Sequence, residues 1–213
     1  MRFKAALFDL DGTLLDTEGQ YTEIWGRIGQ KYCPQVQDLP HVIKGTTLVQ
    51  ILDNYFPDAS VRRQVVEALN EGEREMVYKF YPGAMDFVSD LRRHGVMCAV
   101  VTSSNMPKMH SLEQQIPSFY GMFDLVLTSE DFAASKPAPD CYLLAANRLN
   151  CGIEDCVVFE DALSGLQAGV SAGMYTVGMA TTMSREDIVE HCNLVLDSFQ
   201  DLTTNSFEEI VGM

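Results

Sequence analysis

The sequence is short of positive charge: 15 Lys and Arg stand against 30 Asp and Glu, a formal net charge of −15. A DNA-binding face needs clustered Lys and Arg to neutralise phosphates, so this balance argues against a nucleic-acid partner. It argues equally against docking on anionic lipid. No apolar run reaches about 18 residues, so no membrane-spanning helix is expected. The apolar stretch near the N-terminus ends at Asp9 and is too short for a signal peptide. The six cysteines, Cys33, Cys98, Cys141, Cys151, Cys156 and Cys192, include no C-x-x-C pair and no zinc-ligand spacing. Cys98 and Cys156 lie inside apolar runs and read as buried thiols; reduced cysteines point to a cytoplasmic protein. Internal repeats and low-complexity segments are also missing.

What is present is an ordinary globular composition, 46% hydrophobic and 21% charged, which excludes a disordered chain. A length of 213 residues suits one domain with an insert, or two small domains. The charge is uneven. Residues 1–108 carry 14 acids and 12 bases, whereas residues 109–213 carry 16 acids and 3 bases. Most of these carboxylates read as a solvated surface, and the question is which of them form a site.

Apolar runs recur at Phe3–Phe8, Val96–Val101, Phe123–Leu127, Cys156–Phe159 and Tyr175–Met179. They lack polar alternation, as strands of a sheet covered on both faces do. Between them the periodicity predicts helices over 83–94, 105–115, 139–149 and 162–172, with Gly95 and Gly173 as stops. Alternating strands and helices predict an α/β fold with a parallel, doubly wound sheet. One interval breaks the pattern, because the stretch from the first strand to Val96 far exceeds what a crossover helix needs. It holds helical patterns over 18–32, 46–56 and 60–79, broken at Lys44-Gly45 and Asn54–Asp58. The chain therefore divides into a core, 1–15 and 82–213, and a mainly helical insert, 16–81. The hinges of the insert are expected at Leu14–Thr17 and Phe80–Gly83.

In a parallel sheet, ligands bind beyond the carboxyl ends of the strands. Asp9-Leu10-Asp11-Gly12-Thr13 follows the first run, Thr102-Ser103-Ser104 the second and Glu160-Asp161 the fourth, while Ser135-Lys136-Pro137 lies in the segment after the third. Singly, each has a bland reading. Asp-Gly is a common turn, Thr102 or Ser103 can cap a helix, Lys136 can be a surface Lys, and Glu160-Asp161 can favour a helix N-terminus. Together they compose phosphoryl transfer. Asp9 and Asp161, with the main-chain carbonyl of Asp11, offer the hard oxygens that Mg²⁺ prefers and leave room for water and phosphate. Glu160 can hold a metal-bound water. Ionised Asp9 can attack phosphorus, and Asp11 can protonate the leaving oxygen and then deprotonate the attacking water. Thr102, Ser103, nearby backbone N–H groups and Lys136 can neutralise phosphoryl oxygens.

Asp9-Leu10-Asp11-Gly12-Thr13-Leu14, Thr102, Lys136-Pro137 and Glu160-Asp161 resemble, in order and context, the four motifs of the haloacid dehalogenase superfamily. The similarity spans nearly the whole chain. Leu15-Asp16-Thr17-Glu18, Ser135-Lys136-Pro137-Ala138-Pro139-Asp140 and Phe159-Glu160-Asp161-Ala162-Leu163-Ser164-Gly165 resemble its β-phosphoglucomutase-like branch. The resemblance implies a Rossmann-like core, an inserted four-helix-bundle cap, Mg²⁺ and a small phosphorylated metabolite as substrate. It implies Asp9 as nucleophile, Asp11 as general acid/base, Thr102 and Lys136 as phosphate binders, and Asp161 as metal ligand.

Within that resemblance the residues favour hydrolysis of a phosphomonoester, a sugar phosphate foremost. Halide leaves unprotonated, so an acid at Asp11 speaks for an alkoxide leaving group. A mutase must hold a bisphosphate and needs cations in the cap. The β-phosphoglucomutases resemble this chain around Lys44-Gly45, but their usual Arg shortly after is Leu48 here, and a cap His on their first helix is Tyr21. Mutase chemistry stays the alternative, because Lys44, Arg27 or Lys79 can substitute as the distal cation. Ser104 and Asn105 either bind substrate hydroxyls or cap the next helix, and Thr17 either hydrogen-bonds Asp11 or caps a helix. A phospho-accepting receiver module combines similar residues in another order, with an acidic pair on its first strand and no insert. Nothing in the sequence sets the oligomeric state, and a monomer is compatible with it.

Overall fold

The computed structural model describes residues 3–43 and 46–212. Six strands, β1 (Ala5–Phe8), β2 (Met97–Val101), β3 (Leu125–Leu127), β4 (Cys156–Glu160), β5 (Tyr175–Met179) and β6 (Leu194–Leu196), form one sheet. Their order is β3-β2-β1-β4-β5-β6, with every neighbouring pair parallel. β1 and β4 are wholly buried, which explains their unbroken apolar runs.

Successive side chains of β1 point to opposite faces. Ala6 and Phe8 join Phe87, Phe159, Phe199 and Phe207 on one face, under α5 (Ala84–Arg93), α6 (Met106–Gln115) and α10 (Thr204–Ile210). The Phe8 and Phe159 rings stack there with centroids 4.7 Å apart. Ala5 and Leu7 pack on the other face against Tyr142 and Ala145 of α7 (Asp140–Arg148) and Ala168 of α8 (Leu163–Ser171).

The long interval folds as a cap of four helices inserted after β1: α1 (Glu18–Tyr32), α2 (Leu39–Val42), α3 (Leu48–Tyr55) and α4 (Ala59–Glu75). α3 begins with a capping box between Thr47 and Gln50, and Asp58 caps α4 by accepting from the Ser60 and Val61 amides. The two connections to the core run antiparallel, tied by Asp16 N–H to the Lys79 carbonyl (2.9 Å) and Tyr81 N–H to the Leu14 carbonyl (2.9 Å).

Several elements depart from expectation. The helix expected over 60–79 stops at Glu75, because Met76 turns to extended backbone and buries its side chain. β3 starts at Leu125 rather than Phe123, after a 3₁₀ turn over Phe119–Met122. α2, β6, α9 (Arg185–Ile188) and α10 are all additional; the longest has 7 residues, too few for periodicity to show. All six cysteines are free thiols, with Cys98 and Cys156 buried. No helix among the described residues is long and apolar enough to cross a membrane.

Candidate active site

The sheet order reverses between β1 and β4, and the strand ends there form the crevice where α/β proteins place ligands. Asp9 follows β1, Thr102 follows β2, and Glu160 and Asp161 close β4. Register fixes their proximity, since Phe8 pairs with Val100 on one side and Phe159 on the other. Lys136 enters from the loop before α7. Its ammonium donates to Asp9 Oδ1 (2.6 Å), Glu160 Oε1 (2.7 Å) and the Val101 carbonyl (3.1 Å). Two glycines make room for these groups. A Cβ on Gly165 would fall 1.6 Å from Glu160 Oε1, and one on Gly12, whose φ is +83°, 2.2 Å from Asp161 Oδ2.

Asp9, Glu160 and Asp161 are all buried, with one oxygen from each within 4.8 Å of the others. Burial pushes the Asp9 carboxyl up to about 7, against the pull of Lys136 and with Glu160 adding to the rise. Asp161 is driven well above the carboxylate range by burial first, then by Glu160 and Asp9. Thr13 Oγ1 donates to its Oδ1 (2.7 Å), and Thr182 pulls in the same direction, but neither offsets that rise. Lys136 offsets one negative charge of the three, so the cluster fits a hard divalent cation that supplies the rest.

Asp11 is held differently. Thr17 Oγ1 donates to its Oδ1 (2.9 Å), Ser104 Oγ to its Oδ2 (2.8 Å), and the Lys108 ammonium also to Oδ2. Burial alone would raise the Asp11 carboxyl, yet the Lys108 charge and these donors outweigh it and hold it below the usual carboxylate range. Thr17 makes no side-chain cap to α1, so of its two expected roles the structure shows the bond to Asp11. Asn105 does cap α6, accepting from the Lys108 amide (3.1 Å), and donates to Asn70 of the cap (3.2 Å). Ser104 does not cap the helix; its hydroxyl donates to Asp11 and the residue lines the cavity.

A cavity of about 270 Å³ lies between these residues and the cap. Thr102, Ser103, Ser104, Asn105 and Lys136 line it from the core side. Thr102 is buried; its Oγ1 accepts from the Ser104 amide (3.0 Å) and keeps its own proton to donate. Trp25, Ile43, Leu48, Ile51 and Leu69 give the cap wall an apolar character. Arg27 and Lys79, offered above as cap cations, are exposed and do not line the cavity. Lys44 lies outside the described residues. Lys108 was missed because a Lys on a helix is expected in solvent. The available signal was its place beside Met109 and four before Leu112, on the buried stripe of α6.

The haloacid dehalogenase-like hydrolase family model matches residues 3–173, which include every strand-end motif of this site. The chain belongs to that family. Hexitol phosphatase A of Escherichia coli is 29% identical over 95% of this chain and 94% of its own. A phosphorylated carbohydrates phosphatase of Thermotoga maritima is 31% identical over 80% of this chain and 82% of its own. Among solved structures, a HAD hydrolase of family IA, variant 3, from Entamoeba histolytica superposes with a TM-score of 0.84 at 25% identity, covering 99% of this chain and 100% of that one. As a haloacid dehalogenase-like hydrolase, the protein is an enzyme of phosphoryl transfer, and the Asp9/Glu160/Asp161 cluster is its Mg²⁺ site.

A linkage between metal and pH follows. Asp9 in the metal-free fold keeps its proton to about pH 7, against 3.8 for an ordinary Asp. The folded state therefore binds more protons in that window, so metal-free stability falls as pH rises through it and levels off above. Mg²⁺ must displace those protons. Its stabilisation, read as the shift in Tm, is expected to be larger at about pH 8 than at about pH 6; equal shifts would contradict this charge balance.

Proposed function

We propose that this haloacid dehalogenase-like hydrolase is a Mg²⁺-dependent phosphatase of small phosphomonoesters, sugar phosphates foremost, of the β-phosphoglucomutase-like branch with its helical cap. The observation that carries hydrolysis over mutase chemistry is the cap wall. Among the described residues lining the cavity, Lys136 is the one cation, and it belongs to the core. A mutase must ground a second phosphate in the cap, whereas Leu48 and Tyr21 stand there, with the Tyr21 hydroxyl committed to Lys108 and Glu73. Lys44 carries no part of this reading. The named activities of the Escherichia coli and Thermotoga maritima relatives, both phosphatases, point the same way.

In this reading Asp9 is the nucleophile. Its carboxylate attacks phosphorus, the ester oxygen leaves, and an aspartyl phosphate forms. Asp11 protonates the leaving oxygen, then takes a proton from the water that hydrolyses the intermediate. Lys108 and the two hydroxyl donors hold the Asp11 carboxyl below the usual range, which favours the base of that second step. The proton it gives the leaving oxygen is the one it took from the hydrolytic water of the preceding turnover. Thr102 and Lys136, with Ser103 at the cavity surface, hold the phosphoryl oxygens. Asp9, Asp161 and the Asp11 main-chain carbonyl would hold Mg²⁺, with Glu160 completing the site directly or through water. Bound Mg²⁺ supplies the positive charge that lets a phosphate enter a cluster of carboxylates.

Asp11→Asn tests the assignment. Turnover of alkyl phosphates is expected to fall by on the order of 10²–10⁴-fold, and that of p-nitrophenyl phosphate far less, because nitrophenolate leaves without a proton. Equal losses on both substrates would remove Asp11 as the acid.

A further inference from the structure

Two cations are buried among the described residues, and the chemistry above uses only Lys136. The other, Lys108, has a side chain with no solvent exposure. Burying an ammonium costs several kcal/mol unless partners replace its water. Those partners come from both sides of the hinge. Lys108 Nζ donates to Asp11 Oδ2 in the core and to the Tyr21 hydroxyl (2.7 Å) on cap helix α1, standing 4.9 Å from the Tyr21 ring centroid. The Tyr21 hydroxyl in turn donates a hydrogen bond to Glu73 Oε1 (2.8 Å) on α4, and Glu73 is itself buried. An unbroken chain thus runs Asp11–Lys108–Tyr21–Glu73, from the strand end through α6 and α1 to α4 of the cap. Lifting the cap would take both of Lys108's interactions with Tyr21 away together, while the Tyr21–Glu73 bond, which lies wholly within the cap, would move with it.

We propose that Lys108 is the positioning residue for the Asp11 carboxylate, and that with Tyr21 and Glu73 it forms a buried latch tying the place of Asp11 to the closed cap. Asp11 has three donors: Thr17 at the hinge, Ser104 on the loop after β2, and Lys108. Thr17 joins Asp11 to the start of α1 through the main chain. Lys108 is the donor joined by side-chain contacts to Tyr21 and, through it, to Glu73 on α4, so the packing of both helices reaches Asp11 through Lys108. The consequence is that leaving-group protonation is confined to the closed, water-poor site.

The kinetic part of this inference rests on the phosphatase reading, while the conformational part does not. The single Trp of the chain, Trp25, is 7% exposed and lines the cavity on the cap side. Its fluorescence quenching by acrylamide therefore reports cap opening without any substrate. The variants are Lys108→Met and, should that one misfold, Tyr21→Phe, which deletes only the bridging hydroxyl. Both are expected to raise the quenching constant about two-fold or more. Both should lower kcat for alkyl phosphates about ten-fold more than for p-nitrophenyl phosphate. A merely structural residue would lower both substrates alike, so an unchanged ratio of the two overturns the proposal. If the wild-type enzyme releases no phosphate, the phosphatase reading fails instead and quenching decides: a wild-type quenching constant in both variants overturns the latch.

Discussion

Asp9→Asn is expected to lower phosphate release by on the order of 10⁴-fold or more with the fold intact, as loss of a nucleophile does elsewhere. The amide cannot form the acyl phosphate, and it also removes one anionic ligand from the Mg²⁺ site. Stability should move the other way. Asp9 sits in a cluster where burial and Glu160 raise its carboxyl to about 7, so at neutral pH the metal-free fold bears a strained charge. Asn keeps an oxygen to accept from Lys136 Nζ, which lies 2.6 Å from Asp9 Oδ1, and carries no charge. The metal-free variant should therefore melt at or above the wild-type Tm, while the gain on adding Mg²⁺ shrinks. Circular dichroism melts beside a phosphate-release assay check both; retained turnover would remove Asp9 as nucleophile.

Lys136→Met has the largest expected effect on stability. The ammonium is 3% exposed and bridges Asp9 and Glu160, and its own protonation is strongly favoured because those two carboxylates outweigh the effect of burial. Removing one partner of a buried charge cluster costs about 3–5 kcal/mol, since the remaining charges lose their compensation. That loss should show in urea unfolding without metal, diminish when Mg²⁺ is added, and diminish at acid pH, where Asp9 takes up a proton. A loss that ignores both Mg²⁺ and pH would mean that packing, rather than charge, holds Lys136 in place. Phosphate release should fall as well, because the phosphoryl oxygens lose their core cation.

Asp9, Thr102, Glu160 and Asp161 were legible in the sequence for a geometric reason. A strand covered on both faces writes a continuous apolar run, and the first polar residues after it mark the end where ligands bind. Lys136 was legible through its Pro-rich context and the family resemblance rather than through pattern. Lys108 and Glu73 were not, because their roles depend on a contact between the core and a cap whose docking no periodicity encodes. A Lys and a Glu in helices that far apart in sequence each read as solvated until α4 is seen packed over α6. The same limit applied to β6 and α10. Leu194–Leu196 is too short for any alternation to register, and Phe207 is buried only because Phe87 and Phe159 already form a surface for it. Thr17 and Asn105 each had two readings from sequence; atomic positions assign Thr17 to Asp11 and Asn105 to the cap of α6.

The acidity of the chain divides accordingly. Asp9, Glu160 and Asp161 make a local site whose charge Mg²⁺ and Lys136 balance, and Lys108 balances Asp11 beside it. The acids of residues 185–213, seven against one Arg, take no part in that cavity. A net charge of −15 excludes polyanions that need a broad basic face, yet admits a small phosphate held at a metal.

The most direct test of hydrolysis at this site is the stoichiometry of phosphate release from hexose and pentose monophosphates in Mg²⁺, with the sugar products identified in the same samples and a bisphosphate primer present. The account predicts one phosphate and one free sugar for each ester consumed. Conversion of β-glucose 1-phosphate to glucose 6-phosphate without released phosphate would contradict it.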